Sequence, residues 1–185
     1  MYYKQINKLI DPIKAKEMAD HMDDIYDPLK NLPDPTVPMS PAFHNIFCKI
    51  HVELTPIIAR EWSVNLVPSY NYGRIYNQGD ILTKHLDRPS CEYSITLNLS
   101  RNTEIWPFYV KSKDDKNAVE VLLDVGDAVT YKGPDVLHWR EELPDGKVHQ
   151  MFFHWVSTSG RFAELAWDNK RESFKAEAEI GLTLY

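Results

Sequence analysis

From about residue 64 the apolar positions fall in short runs rich in Val, Ile, Tyr, Thr and Phe. Turn signals break these runs at Asn77-Gln-Gly-Asp80, Ser100-Arg-Asn-Thr103, Lys113-Asp-Asp-Lys-Asn117, Asp124-Val-Gly-Asp127, Lys132-Gly-Pro134 and Pro144-Asp-Gly146. Short strands at this spacing predict an antiparallel sandwich or barrel. Eight strands are expected near residues 68–76, 81–85, 91–99, 105–110, 118–123, 127–131, 136–140 and 147–156. Within one of them Tyr93, Ile95, Leu97 and Leu99 alternate with Ser94, Thr96, Asn98 and Ser100, so one face is apolar and the other polar. The polar face either meets solvent or lines a small-molecule cavity inside a barrel.

Upstream, residues 1–61 read as helical with a break. Asp11-Pro12 has the form of an N-cap followed by proline at the first helical position. Ala15, Met18, Met22 and Ile25 then recur at helical spacing, and Asp27-Pro28 ends the helix. The proline-rich loop 28–41 follows, and Ser40-Pro41 begins a second helix. Its apolar face carries Phe43, Ile46, Phe47, Ile50, Leu54, Ile57 and Ile58, with a kink expected at Pro56. Residues 160–176 predict a last helix with Phe162, Leu165 and Ala166 on its apolar side. Nothing reads as a linker. The expectation is one domain over 1–185: a helical support region 1–62, a β core 63–157 and a C-terminal helix or tail 158–185.

Composition narrows the class. The 185 residues are 43% hydrophobic, which fits a globular chain with a sizeable core. The net charge of −6 argues against a general nucleic-acid binder. The first residues lack the apolar run of a signal peptide, and no stretch is long and apolar enough to span a membrane. Cys48 and Cys91 are read as free thiols, which makes a cytoplasmic location the expectation.

Candidate chemistry centres on His85-Leu-Asp87 and His138. Residues two apart on a strand point the same way, so His85 and Asp87 can converge, with His138 as a third ligand. Two histidines and one carboxylate, with open positions left over, suit a reactive non-haem iron better than a closed structural site. His21, His44 and His51 fall on predicted helices and read as structural. His149 and His154 lie on opposite faces of the last strand, so one of them reaches the interior. Arg88 and Glu92 read either as a pair steadying the loop after Asp87 or as a surface ion pair. Trp106, Trp139, Phe152, Phe153 and Trp155 read as core, and Cys91 as a small buried hydrophobe.

The order Tyr76, His85-Leu-Asp87, the polar-faced strand, Gly126-Asp127, His138 and then Lys147 nine residues later resembles the Fe(II)/2-oxoglutarate-dependent dioxygenases of the prolyl-4-hydroxylase-like branch. The similarity covers about residues 66–157. It implies a double-stranded β-helix (a jelly-roll, cupin-like barrel) supported by N-terminal helices. His85, Asp87 and His138 are implied to ligate Fe(II) as the catalytic centre. Lys147 is implied to meet the distal carboxylate of 2-oxoglutarate, with Tyr76 and Asn98 as further cosubstrate contacts. The family's usual hydroxyl residue two positions after the basic anchor is absent here, so Arg88 and Arg140 compete with Lys147 for that role. The implied reaction consumes O2, converts 2-oxoglutarate to succinate and CO2, and hydroxylates a peptide side chain such as proline, or a small molecule. Ascorbate is a further cofactor of such enzymes. Two other readings stay open: a cupin-like metal or small-ligand binding module without oxygenase activity, and a metalloenzyme on the same barrel that does not use 2-oxoglutarate.

Overall fold

The computed structural model describes residues 1–25, 36–37 and 45–169. Its elements in chain order are β1 (Tyr3–Ile6), α1 (Pro12–Ile25), β2 (Thr36–Val37), α2 (Asn45–Trp62), β3 (Leu66–Asn77), β4 (Leu82–His85), β5 (Tyr93–Arg101), β6 (Phe108–Ser112), β7 (Val119–Val121), β8 (Ala128–Tyr131), β9 (Val136–Arg140) and β10 (Lys147–Ser157). Short 3-10 turns cover Pro89–Cys91, Gly133–Asp135 and Ala163–Asn169. All eight strands expected after residue 64 are present. His44, the Ser40-Pro41 helix start and the proline-rich loop, apart from residues 36–37, lie outside the described residues.

The strands form two antiparallel sheets. One has six strands in the order β1-β8-β5-β10-β3-β2, and the other has four in the order β4-β9-β6-β7. Side chains from both fill the space between them: Phe108, Val110 and Val136 of the smaller sheet pack with Val129 and Tyr131 of the larger. On the other face of the larger sheet lie α1 and α2. Met18 and Met22 of α1 and Phe47, Ile50 and Ile58 of α2 join Ile95, Leu97, Met151, Phe153 and Trp155 in one cluster. This is the expected double-stranded β-helix with helical support.

Strand parity explains the layering. Residues 148–157 of β10 are all buried, so both of its faces are covered. Met151, Phe153 and Trp155 face the helices, whereas Val148 and Phe152 join Tyr76 and Trp106 between the sheets. β5 divides the same way. Ile95 and Leu97 face the helices, and Ser94, Thr96 and Asn98 point inward, all buried. The polar face of this strand therefore lines the barrel.

Local chemistry sets the entry to α1. The Asp11 carboxylate accepts the Ile13 N–H at 2.8 Å, and Pro12 occupies the first position, whose missing N–H has no partner to lose. Gly126 has φ +86°, and a Cβ there would lie 2.5 Å from the Ile10 carbonyl oxygen, so the turn into β8 has room only for glycine where it meets the chain leading to α1.

Two expectations are corrected. Residues 3–6 form a strand, not a helix, because they pair with β8 in the register Tyr3↔Tyr131 to Ile6↔Ala128. The predicted final helix does not form over its described part. Trp167 (φ 62°) and Asp168 (φ 45°) take left-handed backbone, and Trp167 packs on Cys48 instead.

His51 of α2 is wholly buried, stacks edge-on against Trp155 with ring centroids 4.7 Å apart, and lies 3.2 Å from the Asn71 amide through Nδ1. Burial, assisted by repulsion from His154, holds its pKa well below the ordinary 6.5. The folded protein therefore keeps this ring neutral while the unfolded chain takes up a proton below pH 6.5. The metal-free protein is expected to lose about 1.4 kcal/mol of stability per pH unit from this residue as pH falls below that value. Denaturant titrations from pH 7 to pH 5 check this: His51→Gln should flatten the pH dependence by up to that slope, even though it lowers stability at pH 7.

Candidate metal centre

β4 ends at His85, which is the direct cross-strand partner of His138 on β9. The two imidazoles lie with ring centroids 4.2 Å apart. Asp87 follows two residues after His85, and its backbone N–H bonds the Gly133 carbonyl at 3.0 Å. That bond fastens the segment after β4 to the turn that precedes β9. The Asp87 Oδ1 atom lies 3.5 Å from Nε2 of both histidines. The candidate ligand atoms of His85, Asp87 and His138 all fall within 4.8 Å of one another.

The tautomers suit a cation. His85 Nδ1 lies 2.6 Å from the Thr83 carbonyl and His138 Nδ1 lies 2.9 Å from the Val136 carbonyl. A carbonyl only accepts, so each Nδ1 carries a proton; each Nε2 faces Asp87 at 3.5 Å, where it either donates a second proton to the carboxylate or, without that proton, offers its lone pair to a cation. Burial opposes ionisation of Asp87, but the hydrogen bonds from His138 and His85 outweigh it and hold its pKa well below the usual range. The hydrogen bond to Asp87 raises the pKa of His85 against a smaller opposing effect of burial. Gly133 completes the cradle: a Cβ there would lie 2.5 Å from Asp87 Oδ2. The residues present thus fit a divalent metal, with two neutral imidazoles and one carboxylate on one side of it.

Arg140 lies two residues beyond His138 on the same face of β9 and is 3% exposed. Its guanidinium donates to the Trp106 carbonyl and, at 3.3 Å, to Gln150 Oε1. It also sits 4.7 Å from the Trp106 ring centroid and 5.1 Å from that of Phe108. Burial pulls its pKa down to about 10, and among the described residues no carboxylate pairs with it. Gln150 in turn donates to Asn98 Oδ1 at 3.0 Å, and Asn98 donates to the Leu123 carbonyl. Tyr76 packs edge-on against Trp106 at 4.9 Å and accepts from Arg74 at 3.3 Å. Tyr76, Asn98 and Arg140 therefore share the barrel interior with the metal-ligand candidates.

Lys147 and Arg88 are not brought there. Lys147 pairs with Asp23 of α1 at 3.1 Å, and His149 meets the same carboxylate at 3.1 Å, both on the helix side of the sheet. Arg88 is exposed, stacks 4.1 Å over Tyr70 and lies 3.8 Å from Asp168. Glu92 accepts the Ser157 N–H at 2.8 Å, so the expected Arg88–Glu92 pair does not form. His154 is the last-strand histidine that reaches the interior, where burial lowers its pKa to about 4.

Sequence reasoning passed over Gln150 and Gly133. Gln150 carries a signal, since it is a polar residue that shares interior parity with Val148, Phe152 and His154. Gly133 reads in sequence only as a turn residue.

No protein-family model matches the sequence, and no curated protein matches it. Solved structures match the fold. The viral collagen prolyl hydroxylase of Paramecium bursaria Chlorella virus-1, in its 2-oxoglutarate complex, aligns with a TM-score of 0.65 at 12% identity, over 84% of this chain and 96% of that one. A Pseudomonas putida prolyl-4-hydroxylase aligns at 0.64 and 13% identity, over 82% and 91%. HygX from Streptomyces hygroscopicus, with nickel and 2-oxoglutarate bound, aligns at 0.66 and 14% identity, over 85% and 83%. The chain thus has the double-stranded β-helix fold of the 2-oxoglutarate/Fe(II) oxygenases, prolyl hydroxylases among them.

Proposed function

We propose that the protein is an Fe(II)- and 2-oxoglutarate-dependent oxygenase that hydroxylates a peptide side chain such as proline, or a small molecule. His85, Asp87 and His138 hold the iron, and Arg140 pairs with the far carboxylate of 2-oxoglutarate. The observation that carries this reading is a buried arginine with no acidic partner among the described residues, two positions from a metal-ligand histidine on the same strand face. Leaving a cation buried without an anion is costly, and a carboxylate ligand removes that cost. Two residues along a strand span about 6.6–6.8 Å, a separation suited to a short diacid whose other end chelates the metal.

When bound, the iron supplies the oxidative chemistry, in which 2-oxoglutarate and O2 yield succinate, CO2 and a hydroxylated substrate. The chain supplies position. The backbone carbonyls of Thr83 and Val136 fix both imidazoles with Nε2 toward the ion. Gln150, held by Asn98, orients the Arg140 fork, and the Trp106 and Phe108 rings exclude water around it. Asp87 and Arg140 carry opposite charges, so an anionic cosubstrate is drawn to the arginine end and the cation to the carboxylate end. The similarity in fold to prolyl hydroxylases supports the peptide reading, and that to a carbocyclase of nogalamycin biosynthesis supports the small-molecule reading.

Four outcomes are expected. Wild type loaded with Fe(II) should form succinate from 2-oxoglutarate under O2, and His85→Ala should not; equal turnover in the two would sink the proposal. Arg140→Gln should weaken 2-oxoglutarate binding about 10–100-fold, the worth of one or two charged hydrogen bonds, while metal affinity stays within a few-fold. Lys147→Ala should leave 2-oxoglutarate binding unchanged; calorimetric titration of both variants decides between the two anchors. Gly133→Ala should displace the Asp87 carboxylate and lower metal affinity about 10–100-fold, as loss of a support behind a ligand does, which a competition assay with a chromophoric chelator would read.

A further inference from the structure

A second set of donors overlaps the first, and the oxygenase reading uses only its Asp87. A carboxylate oxygen of Asp87, the Cys91 thiol and a ring nitrogen of His154 fall within 4.8 Å of one another. Cys91 and His154 are each 1% exposed. His154 Nδ1 lies 2.8 Å from Ser94 Oγ, while Nε2 is buried and has no hydrogen-bond partner among the described residues. A buried polar atom without a partner is rare and calls for a cause.

The neighbouring hydroxyl fixes the tautomer. Ser94 Oγ is also 3.2 Å from the Cys91 carbonyl and 3.5 Å from Asp87 Oδ2, and both of these can only accept. The single hydroxyl proton goes to one of them, so Nδ1 of His154 donates to Oγ. Nε2 is then a buried bare lone pair on a ring that meets the Asp87 and Cys91 donors. This is the arrangement found at His85 and His138, where Nδ1–H is held and Nε2 is left to a cation.

We infer that Asp87, Cys91 and His154 form a second cation site, suited to a thiophilic divalent ion such as Zn2+ and sharing Asp87 with the first. Thiolate, imidazole and carboxylate are the three side-chain ligands of zinc, and a sulfur donor selects against Mg2+, Ca2+ and Mn2+. Asp87 has an oxygen for each site: Oδ1 lies 3.5 Å from both first-site histidines, and Oδ2 faces Ser94. The Tyr70 hydroxyl is 3.0 Å from Cys91 Sγ and 3.3 Å from Arg88 Nε, so it accepts from the arginine and donates to the sulfur. On binding, the ion replaces the thiol proton, which passes to solvent: M2+ and Cys–SH give the metal thiolate and H+.

The test uses Co2+ as a spectroscopic probe and Zn2+ for stoichiometry, on the metal-free full chain without 2-oxoglutarate. Co2+ should produce a thiolate-to-metal charge-transfer band in the near ultraviolet. That band should persist in His85→Ala, which dismantles the first site, and in Cys48→Ala, and should vanish in Cys91→Ala. His154→Phe should weaken Co2+ binding at this band at least tenfold. Native mass spectrometry should count one more zinc ion in wild type than in Cys91→Ala or His154→Phe. Absence of the band in wild type at saturating Co2+ overturns the inference, as does a band of unchanged affinity in His154→Phe. If Cys91→Ala does not fold, His154→Phe and the wild-type zinc count decide the matter. Neither readout involves 2-oxoglutarate, so a failure here is distinct from a failure of the oxygenase assignment.

Discussion

Everything in this molecule depends on β10 being covered on both faces. The strand pairs with β3 on one side and β5 on the other, and its alternate residues go to different layers. Phe153 and Trp155 bind the helices, while Gln150, Phe152 and His154 line the barrel. A slip by one residue would exchange the two sets and put Phe153 in the barrel-side position of Phe152 or His154. The apolar contact with α1 and α2 thus holds the register on which the polar interior relies. Truncating Phe153 or Trp155 to alanine removes about 3–5 kcal/mol of that hold, which is a large share of a typical domain's stability.

The polar interior is connected, not merely present. From Leu123 through Asn98 and Gln150 to Arg140, each group is held by the next. From His154 through Ser94 to Asp87 runs a second chain, which ends at His85 and His138, the candidate metal ligands. Both chains cross from one sheet to the other. The apolar groups around them, including Phe108, Tyr131 and Val136, lower the local polarity and strengthen each contact.

Much of this was readable from sequence because it is local. Turn residues marked the strand boundaries, and the two-residue spacing of His85 and Asp87 set their common face. The alternation in residues 93–100 marked a polar wall. What escaped depends on partners distant in the chain. β1 is four residues long with no clear alternation, and exists because β8 offers it an edge. The predicted last helix has a suitable apolar pattern, but Trp167 finds a better place against Cys48 in left-handed backbone. What separates Lys147 from Arg140 is which way each points. Lys147 falls on the helix-facing parity and is taken by Asp23, and the pairing of β10 with β5 shifts register between His149 and Gln150. No count of residues after His138 reveals that.

The placement of Arg140 has one more consequence. When cation and metal ligand sit on different strands, the distance between them varies with every adjustment of the pairing. Here both belong to β9, and the separation is set by covalent bonds and the pitch of a single strand. On the proposed function, that fixed separation acts as a built-in ruler for the length of a diacid. Neighbouring strands can drift, bulge or accept substitutions while the ruler keeps its gauge.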